Sequence, residues 1–554
     1  MILEPKEIRI LPIGGFNEVG GNMVCYETTQ DLIVIDCGIM FPAPNAYGCD
    51  KLAVDLSYLR QNRDKLRGFF ITHGHEDHVG ALPFAINDFD VPIYGSDFTL
   101  DLIREKFDHH KITFTQYRPL QPREQTIFKS LKVEAISITH SIPECFAFAI
   151  HSDAGTLIHT GDFKLDENPI DKRKTDIERL SQLGEKGVLA LISDSTNATR
   201  DGHTQPEKEV HKNLTKVISQ APGRVFTTLF ASHCHRIQGL IEAAEANNRH
   251  VIPMGRSVHR FLELGKRNNQ IFARQDTIKP LRLLRKLPPE QVLVLLTGCQ
   301  GEPKSASWRL AYGQDRELNP NSGDTFIFSS RTIPGNEIPI SRMTDQLLKR
   351  GVNVINAHDQ EIHTSGHAHK DELREILNYC KPQYFIPGHG TIKLIRAHAQ
   401  IAFNEGWNPK NVFILENGHP LRLNTDDAIL EKSIPISFTP IEADSNQIIQ
   451  LETRLTRTDM AKHGCVALTI FETQNATLLE LVAISCIGVV NPQEAEGLEK
   501  SLMQYLKTES KSVDADSVEE AVPKLQTMVR SVIRRRYNKN PYVHISVVDS
   551  LPAN

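Results

Sequence analysis

Six consecutive positions, His73-Gly74-His75-Glu76-Asp77-His78, carry three imidazoles and two carboxylates directly after the apolar run "GFFI". Imidazole and carboxylate are the ligand types of zinc and related divalent ions, so a loop this dense in them reads as a metal-binding loop. The same residue types end other apolar runs: Asp36 after "LIVI", His140 after "ISIT", Asp162 after "LIHTG", Asp194 after "LALIS" and His389 after "YFIPG". In α/β sheets ligands bind outside the carboxyl ends of strands, so these endings are placed to converge on one rim. His73, His75, Asp77, His78, His140, Asp162 and His389 are the seven candidate ligands. One zinc takes about four ligands, so the set suits two ions sharing a bridging carboxylate. His73 and His75, two apart on a turn, can grip one ion while Asp77 and His78 face the second. Asp36 reads as a residue that orients a histidine by hydrogen bonding, and Glu76 is left off the metals. Singly, His140 or Asp162 would read as a satisfied polar group; the repetition at strand ends carries the metal reading.

The elements that must position these residues follow from the pattern. "IRILPIG", "DLIVIDCG", "GFFITHG", "KVEAISITH", "GTLIHTGD" and "VLALISDS" read as buried strands, with helical stretches such as "DFTLDLIREKF" between some of them. This is an α/β protein with helices outside its sheets. From about Gln205 strands and helices alternate regularly: "RVFTTLFAS", a helix near 237–246, "HVIPMG", a helix near 258–266, then "QVLVLLTG", "DTFIFSS" and "GVNVINA". That alternation predicts a separate parallel α/β domain. After Asp359 the earlier style returns with "PQYFIPGHG" and "NVFILENG", so the second domain is inserted into the first. The expected division is a first domain over 1–205 and 359–425, an insert over 206–358, a polar linker over 426–450, and a small α/β C-terminal domain over 451–554. Its strands are "HGCVALTIFE", "LLELVAISCIGVV" and "PYVHISVVD", with helices near 494–507 and 517–537.

A chain of 554 residues is too long for one core. Its formal charge of −5 does not advertise a polyanion partner, so any nucleic-acid surface must be a local patch. The N-terminus lacks a signal-peptide pattern and no run is long and apolar enough to span a membrane. The nine cysteines include no C-x-x-C pair. A reduced, cytoplasmic location and no membrane partner are expected.

"HGHEDH", "ITH", "HTGD" and "PGHG" resemble the metallo-β-lactamase superfamily. "SDSTNA", "HTSGHA", "ASHCHRIQ", "GRSVHR", "TGCQGEP" and "SSRTIPGNE" are similar to its β-CASP nuclease branch, and specifically to the bacterial ribonuclease J family, over roughly residues 1–425. The strand "VAISCIGVVNP" departs from the family pattern. The resemblance implies a metallo-β-lactamase αββα sandwich with an inserted β-CASP parallel α/β domain and a small α/β C-terminal domain. It implies a ribonuclease with two zinc ions per subunit, combining 5′-to-3′ exonuclease and endonuclease activity in RNA maturation and mRNA decay through an activated water. Manganese can replace zinc, since mixed N/O ligands discriminate poorly. His389 favours RNA, because DNA-acting relatives tend to carry Val there.

The same resemblance casts Asp162 as the bridging and catalytic carboxylate. It casts His367 as the group that protonates the leaving 3′ oxygen and Asp194 as its orienting partner. The turn His363-Thr364-Ser365-Gly366-His367 can cradle a phosphate with backbone N–H groups, against an ordinary turn before the helix near Lys370. Ser329, Ser330 and Arg331 at a strand end suit a second phosphate contact, against a capping turn. Together these predict a preference for 5′-monophosphorylated, single-stranded RNA. A homodimer or homotetramer is implied. "IRRRYNKN" reads as a solvated helix face. The alternatives are a DNA-acting β-CASP nuclease, another hydrolase of the metallo-β-lactamase fold, and a non-catalytic RNA-binding subunit.

Overall fold

The computed structural model describes residues 3–42, 49–333, 335–357, 359–442, 447–472, 479–509 and 518–549. Two compact units form: 1–40 with 53–438, and 41–52 with 439–554. No helix of the described residues is long and apolar enough to cross a membrane.

The larger unit holds two mixed sheets face to face. The first has eight strands, in the order Ala428–Leu430, Leu421–Leu423, Ile8–Gly14, Met23–Glu27, Leu32–Ile35, Leu66–Phe70, Ile93–Gly95 and Tyr117–Pro119. The second has six: Gln125–Ile127, Leu131–Ile138, Cys145–Ser152, Gly155–His159, Val188–Asp194 and Pro382–Gly388. One core fills the space between them. Ile33, Ile35 and Phe70 of the first sheet share a cluster with Val133, Phe148 and Ile192 of the second. Phe70 meets Phe148 edge to face at 5.6 Å, a geometry that adds to simple area burial. Strands such as Leu32–Ile35 and Val188–Asp194 are buried on both faces, which is why they read as unbroken apolar runs. Helix Asp97–His109 packs beside Ile93–Gly95, and helices Ile177–Lys186, Lys370–Cys380 and Ile392–Asn404 pack on the second sheet. This is the expected αββα sandwich.

Val188–Asp194 and Pro382–Gly388 are parallel neighbours, with Asp194 opposite Gly388. Everything between them is one long crossover, and it contains the inserted α/β domain. Its sheet is wholly parallel, in the order His250–Met254, Val292–Leu296, Val225–Thr228, Thr325–Phe328 and Asn353–Asn356. Its own core gathers Phe226, Ile252, Val294, Phe326 and Met343. The expected helices run longer than the periodicity suggested, at Cys234–Ala246 and Arg256–Arg267.

The smaller unit contains the sheet Leu479–Ile487, Cys465–Glu472, Tyr542–Asp549, whose central strand runs antiparallel to the first and parallel to the last. Helices Pro492–Glu509 and Val518–Tyr537 cover one face through Leu498, Leu502, Val529 and Ile533. The basic run Arg534–Arg536 is exposed at the end of the second helix.

Two expectations need correction. "NVFILENG" is not a strand: only Val412 bridges Phe385, and past the bond from Phe413 N–H to the Phe385 carbonyl the chain diverges into turns. The stretch 426–450 is not simply a linker. Ala428–Leu430 pairs with Leu421–Leu423 as the edge of the eight-stranded sheet, and Thr439–Glu442 is a further strand. Its polar, proline-containing composition hid both short strands.

Candidate metal centre

The strand Leu66–Phe70 delivers Thr72 and His73 to its carboxyl end. A four-residue helix, Glu76–Val79, starts at once and turns Asp77 and His78 back toward the same point. Neighbouring loops clamp that short helix: Asn22 N–H bonds the Asp77 carbonyl and Cys37 N–H bonds the His78 carbonyl. Gly38 must be glycine for this, since a Cβ there would stand 1.7 Å from the Asp77 oxygen. The helix end Glu76 turns away and pairs through both oxygens with Lys106, at 2.7 and 2.6 Å.

Around these residues the strand ends converge as the sequence predicted. His73, His75 and His140 form one donor group; Asp77, His78, Asp162 and His389 form a second, with all ligand atoms of a group within 4.8 Å of one another. Asp162 lies between the groups, 3.2 Å from His78 Nε2, 3.7 Å from His73 Nε2 and 3.9 Å from His140 Nε2. Asp162, Asp194, His367 and His389 overlap as a third grouping. His389 Nδ1 stands 2.8 Å from Asp162 and 3.3 Å from Asp194, while its Nε2 is buried without a hydrogen-bond partner.

The outward nitrogens are already employed. His78 Nδ1 donates to Asp36 at 2.7 Å, His140 Nδ1 donates to the Gly366 carbonyl at 2.7 Å, and His73 Nδ1 lies 3.0 Å from the Thr72 hydroxyl. His73 Nε2 and His140 Nε2 therefore turn inward, 3.0 and 3.2 Å from His75 Nδ1. Burial drives His73 and His140 well below the usual histidine range and His75 to about 4, so all three are neutral. Three such rings aiming nitrogens at one point form a donor set that fits bound metal. In the second group burial opposes charge on His78 and His389. The carboxylates outweigh it, Asp162 first in each case, and hold both rings well above the usual range. Burial alone would raise Asp162, but His389, His78 and His367 hold it well below the carboxylate range. Among the described residues no lysine or arginine pairs with Asp77, Asp162 or Asp194. Metal must displace protons here, so acid weakens its binding.

Asp36, expected to orient a histidine, does so for His78 while accepting from Thr72 N–H at 2.8 Å. Asp36 and His389 both have left-handed backbone, φ 62° and 46°, a strain that packing sustains at functional positions. His367 Nδ1 pairs with Asp194 at 2.7 Å, and Asp194 also holds the Thr196 hydroxyl. Burial works against charge on His367, but Asp194 and Asp162 raise it above the usual range.

The turn His363–His367 meets the centre differently than a phosphate cradle alone would. The Gly366 carbonyl serves His140, and a Cβ on Gly366 would fall 2.7 Å from that ring. Asn197 fixes the turn by donating to Ser365 Oγ and the His367 carbonyl, and the Thr364 hydroxyl bonds the Gln205 carbonyl. Ser329 Oγ joins the strand end to the turn, donating to the Ile362 carbonyl at 2.8 Å and accepting from Arg236 at 2.6 Å. Ser330 Oγ reaches the Cys299 carbonyl at 3.4 Å. Arg331 keeps a buried Nη1 with no partner, so of these three it has donor capacity to spare. The sequence reading missed Asn22, whose amide lies 3.0 Å from His78 Nε2, together with Thr72, Thr196, Asn197 and Lys106. The glycine-rich "GGFNEVGGN" was the only local signal for Asn22.

The family model "Metallo-beta-lactamase superfamily" matches residues 17–226, "Ribonuclease J, beta-CASP domain" matches 222–347, and "Zn-dependent metallo-hydrolase RNA specificity domain" matches 354–414. The chain is 35% identical over 507 residues to "Ribonuclease J" of Synechocystis, covering 91% of this chain and 79% of that protein. It is 34% identical over 545 residues to that of Helicobacter pylori (97% and 78%). It is 36% identical over 474 residues to that of Thermus thermophilus (83% and 82%). A crystal structure of an Enterococcus faecalis protein of unknown function aligns with TM-score 0.52 at 15% identity, over 75% of this chain and 100% of that one, a likeness of fold.

Proposed function

The chain belongs to the ribonuclease J family, and on that premise we propose that this metal-dependent ribonuclease works with two zinc ions, degrading RNA from a 5′ end and also cutting internally. The observation that carries the reading is the pair of neighbouring donor groups with Asp162 between them, and among the described residues no lysine or arginine paired to their carboxylates. His73, His75 and His140 would hold one ion, Asp77, His78 and His389 the other, and Asp162 would serve both. When bound, such ions supply Lewis acidity toward phosphoryl oxygens and a water nucleophile at neutral pH.

The chain's own part is positioning and proton transfer. Water oxygen adds to phosphorus and gives up a proton to solvent, the bond from phosphorus to the 3′ oxygen breaks, and that oxygen takes a proton from His367, which solvent then reprotonates. The products are a 3′ hydroxyl and a 5′ phosphate. Asp194 orients His367 and, by its charge, favours its protonated form. Arg331 receives the terminal 5′ phosphate of the RNA, with Ser329 and Ser330 bracing its strand end and the His363–His367 turn beside them. A monophosphate fits one guanidinium; a triphosphate adds bulk and charge. The test is single-turnover decay of matched 5′-monophosphorylated and 5′-triphosphorylated RNA by wild type and Arg331→Ala. Faster decay of the monophosphate form by wild type, and a narrowed difference in the variant, is the expected result. Equal wild-type rates would rule out the 5′ pocket, and unchanged selectivity in the variant would remove Arg331 from it.

A further inference from the structure

The hydrophobic cluster between the two mixed sheets and the cluster around the parallel sheet are separate. Besides the ion pair of His235 of the insert with Asp171 of the sandwich, at 3.2 Å, polar contacts join the two parts at two further places. At one, the chain itself crosses, beside Asp194 and His367. At the other, helix Arg256–Arg267 of the insert lies against helix Asp97–His109 of the sandwich. Arg260 donates to Glu105 at 2.9 Å and to the Leu102 carbonyl at 3.3 Å. Arg267 donates to Glu105 at 2.5 Å and lies 3.3 Å from Asp101, which also accepts from Asn268 at 3.0 Å. Gln270 adds a bond to Glu144 at 3.0 Å.

The second attachment reaches the metal loop directly. Leu102 packs so close to Gly74 that a Cβ there would touch it at 3.4 Å, and Lys106, one residue after Glu105, grips Glu76. The insert is thus fastened to both flanks of the centre: to Asp194 and His367 through the chain, and to the His73–His78 loop through this helix pair. The first fastening is covalent. The second is ionic and partly wet, with the Arg267 side chain 54% exposed and Arg260 35% exposed. Such pairs are individually weak and screened by salt.

Resting on the two modes of cleavage argued above, we propose that Arg260 and Arg267 with Asp101 and Glu105 form a releasable clasp that decides between them. A free 5′ end threads past a closed clasp. An internal segment has no end to thread, and reaches the centre only when the clasp opens. The clasp residues touch no reacting atom; they determine which form of RNA gains access.

The experiment compares a closed circular RNA, which has no ends, with a 5′-monophosphorylated linear RNA of the same sequence. The proteins are wild type, Glu105→Gln, Arg260→Glu and the charge-swapped pair Glu105→Arg with Arg260→Glu, all shown to keep wild-type metal content. Opening should raise circular cleavage relative to linear decay about three- to five-fold, the population change that loss of one exposed ion pair produces. The swapped pair should return toward wild type, and added salt should mimic the single variants. Glu105→Gln is close to isosteric and guards against misfolding of the charge reversal. An unchanged ratio in both single variants, or equal change on both substrates, overturns the clasp. If wild type leaves circular RNA intact while linear RNA decays, the internal-cleavage reading fails separately. The clasp then stands only if Glu105→Gln begins to cut the circle.

Discussion

Around Asp162 and around Arg236 the main unit buries the same chemical groups, imidazoles and carboxylates, with opposite accounts of charge. At Arg236 the chain supplies the cation. Its guanidinium pairs with both oxygens of Glu207 and bonds Ser329 Oγ, the Ser329 carbonyl and the Ile362 carbonyl. Burial keeps the neighbouring His233 and His363 neutral, at about 4 and about 3. At Asp162 no lysine or arginine of the described residues is paired, inward ring nitrogens face one another, and balance must come from protons or bound ions. A buried polar cluster that closes its own charge is architecture; one left open is a binding site.

The largest test of this contrast is His75→Ala. It removes an inward donor, so metal content measured by elemental analysis should fall below two ions per chain and RNA cleavage should be lost, while thermal stability of the metal-free protein should not drop. Unchanged metal content and activity would show that the open cluster is not the centre. Next is His367→Ala, which should keep both ions yet slow cleavage by about 10²–10⁴-fold, the usual contribution of a general acid. Loss of metal alongside activity would make His367 a ligand instead. The smallest effect on the reaction belongs to Arg236→Met. It strands Glu207 in the interior and should cost about 3–5 kcal/mol of stability in denaturant titration, with metal content of the folded protein intact. A stable Arg236→Met protein would erase the distinction between the clusters.

The same contrast explains what could be read from the chain. His73, His140, Asp162 and His389 were legible because each follows an apolar run, and strand ends in an α/β sheet must gather. The partners that fix their rings were not. The Gly366 carbonyl belongs to every residue's backbone, and Asn22 lies far from His78 in sequence; only packing selects them. The roles of Ser329 and Arg331 were inseparable in "SSRT", since nothing local shows that Arg236 engages the Ser329 hydroxyl and leaves Arg331 with an unpartnered nitrogen. "NVFILENG" carries a strand's composition but only one bridge to a neighbour, and composition does not reveal whether an adjacent edge is free.

The long crossover between Val188–Asp194 and Pro382–Gly388 also sets a schedule. A chain emerging from the ribosome presents the His73–His78 loop early, yet the strand ending at Asp194, already paired with Gly155–His159, lacks its second neighbour until the whole insert has been made. His367 and His389 arrive later still. The insert has its own core and can fold as a unit during that interval, bringing the two waiting strands together as its ends close. Until then the chain lacks His367 and His389, so the donor groups around Asp162 stay incomplete until most of the main unit has been made.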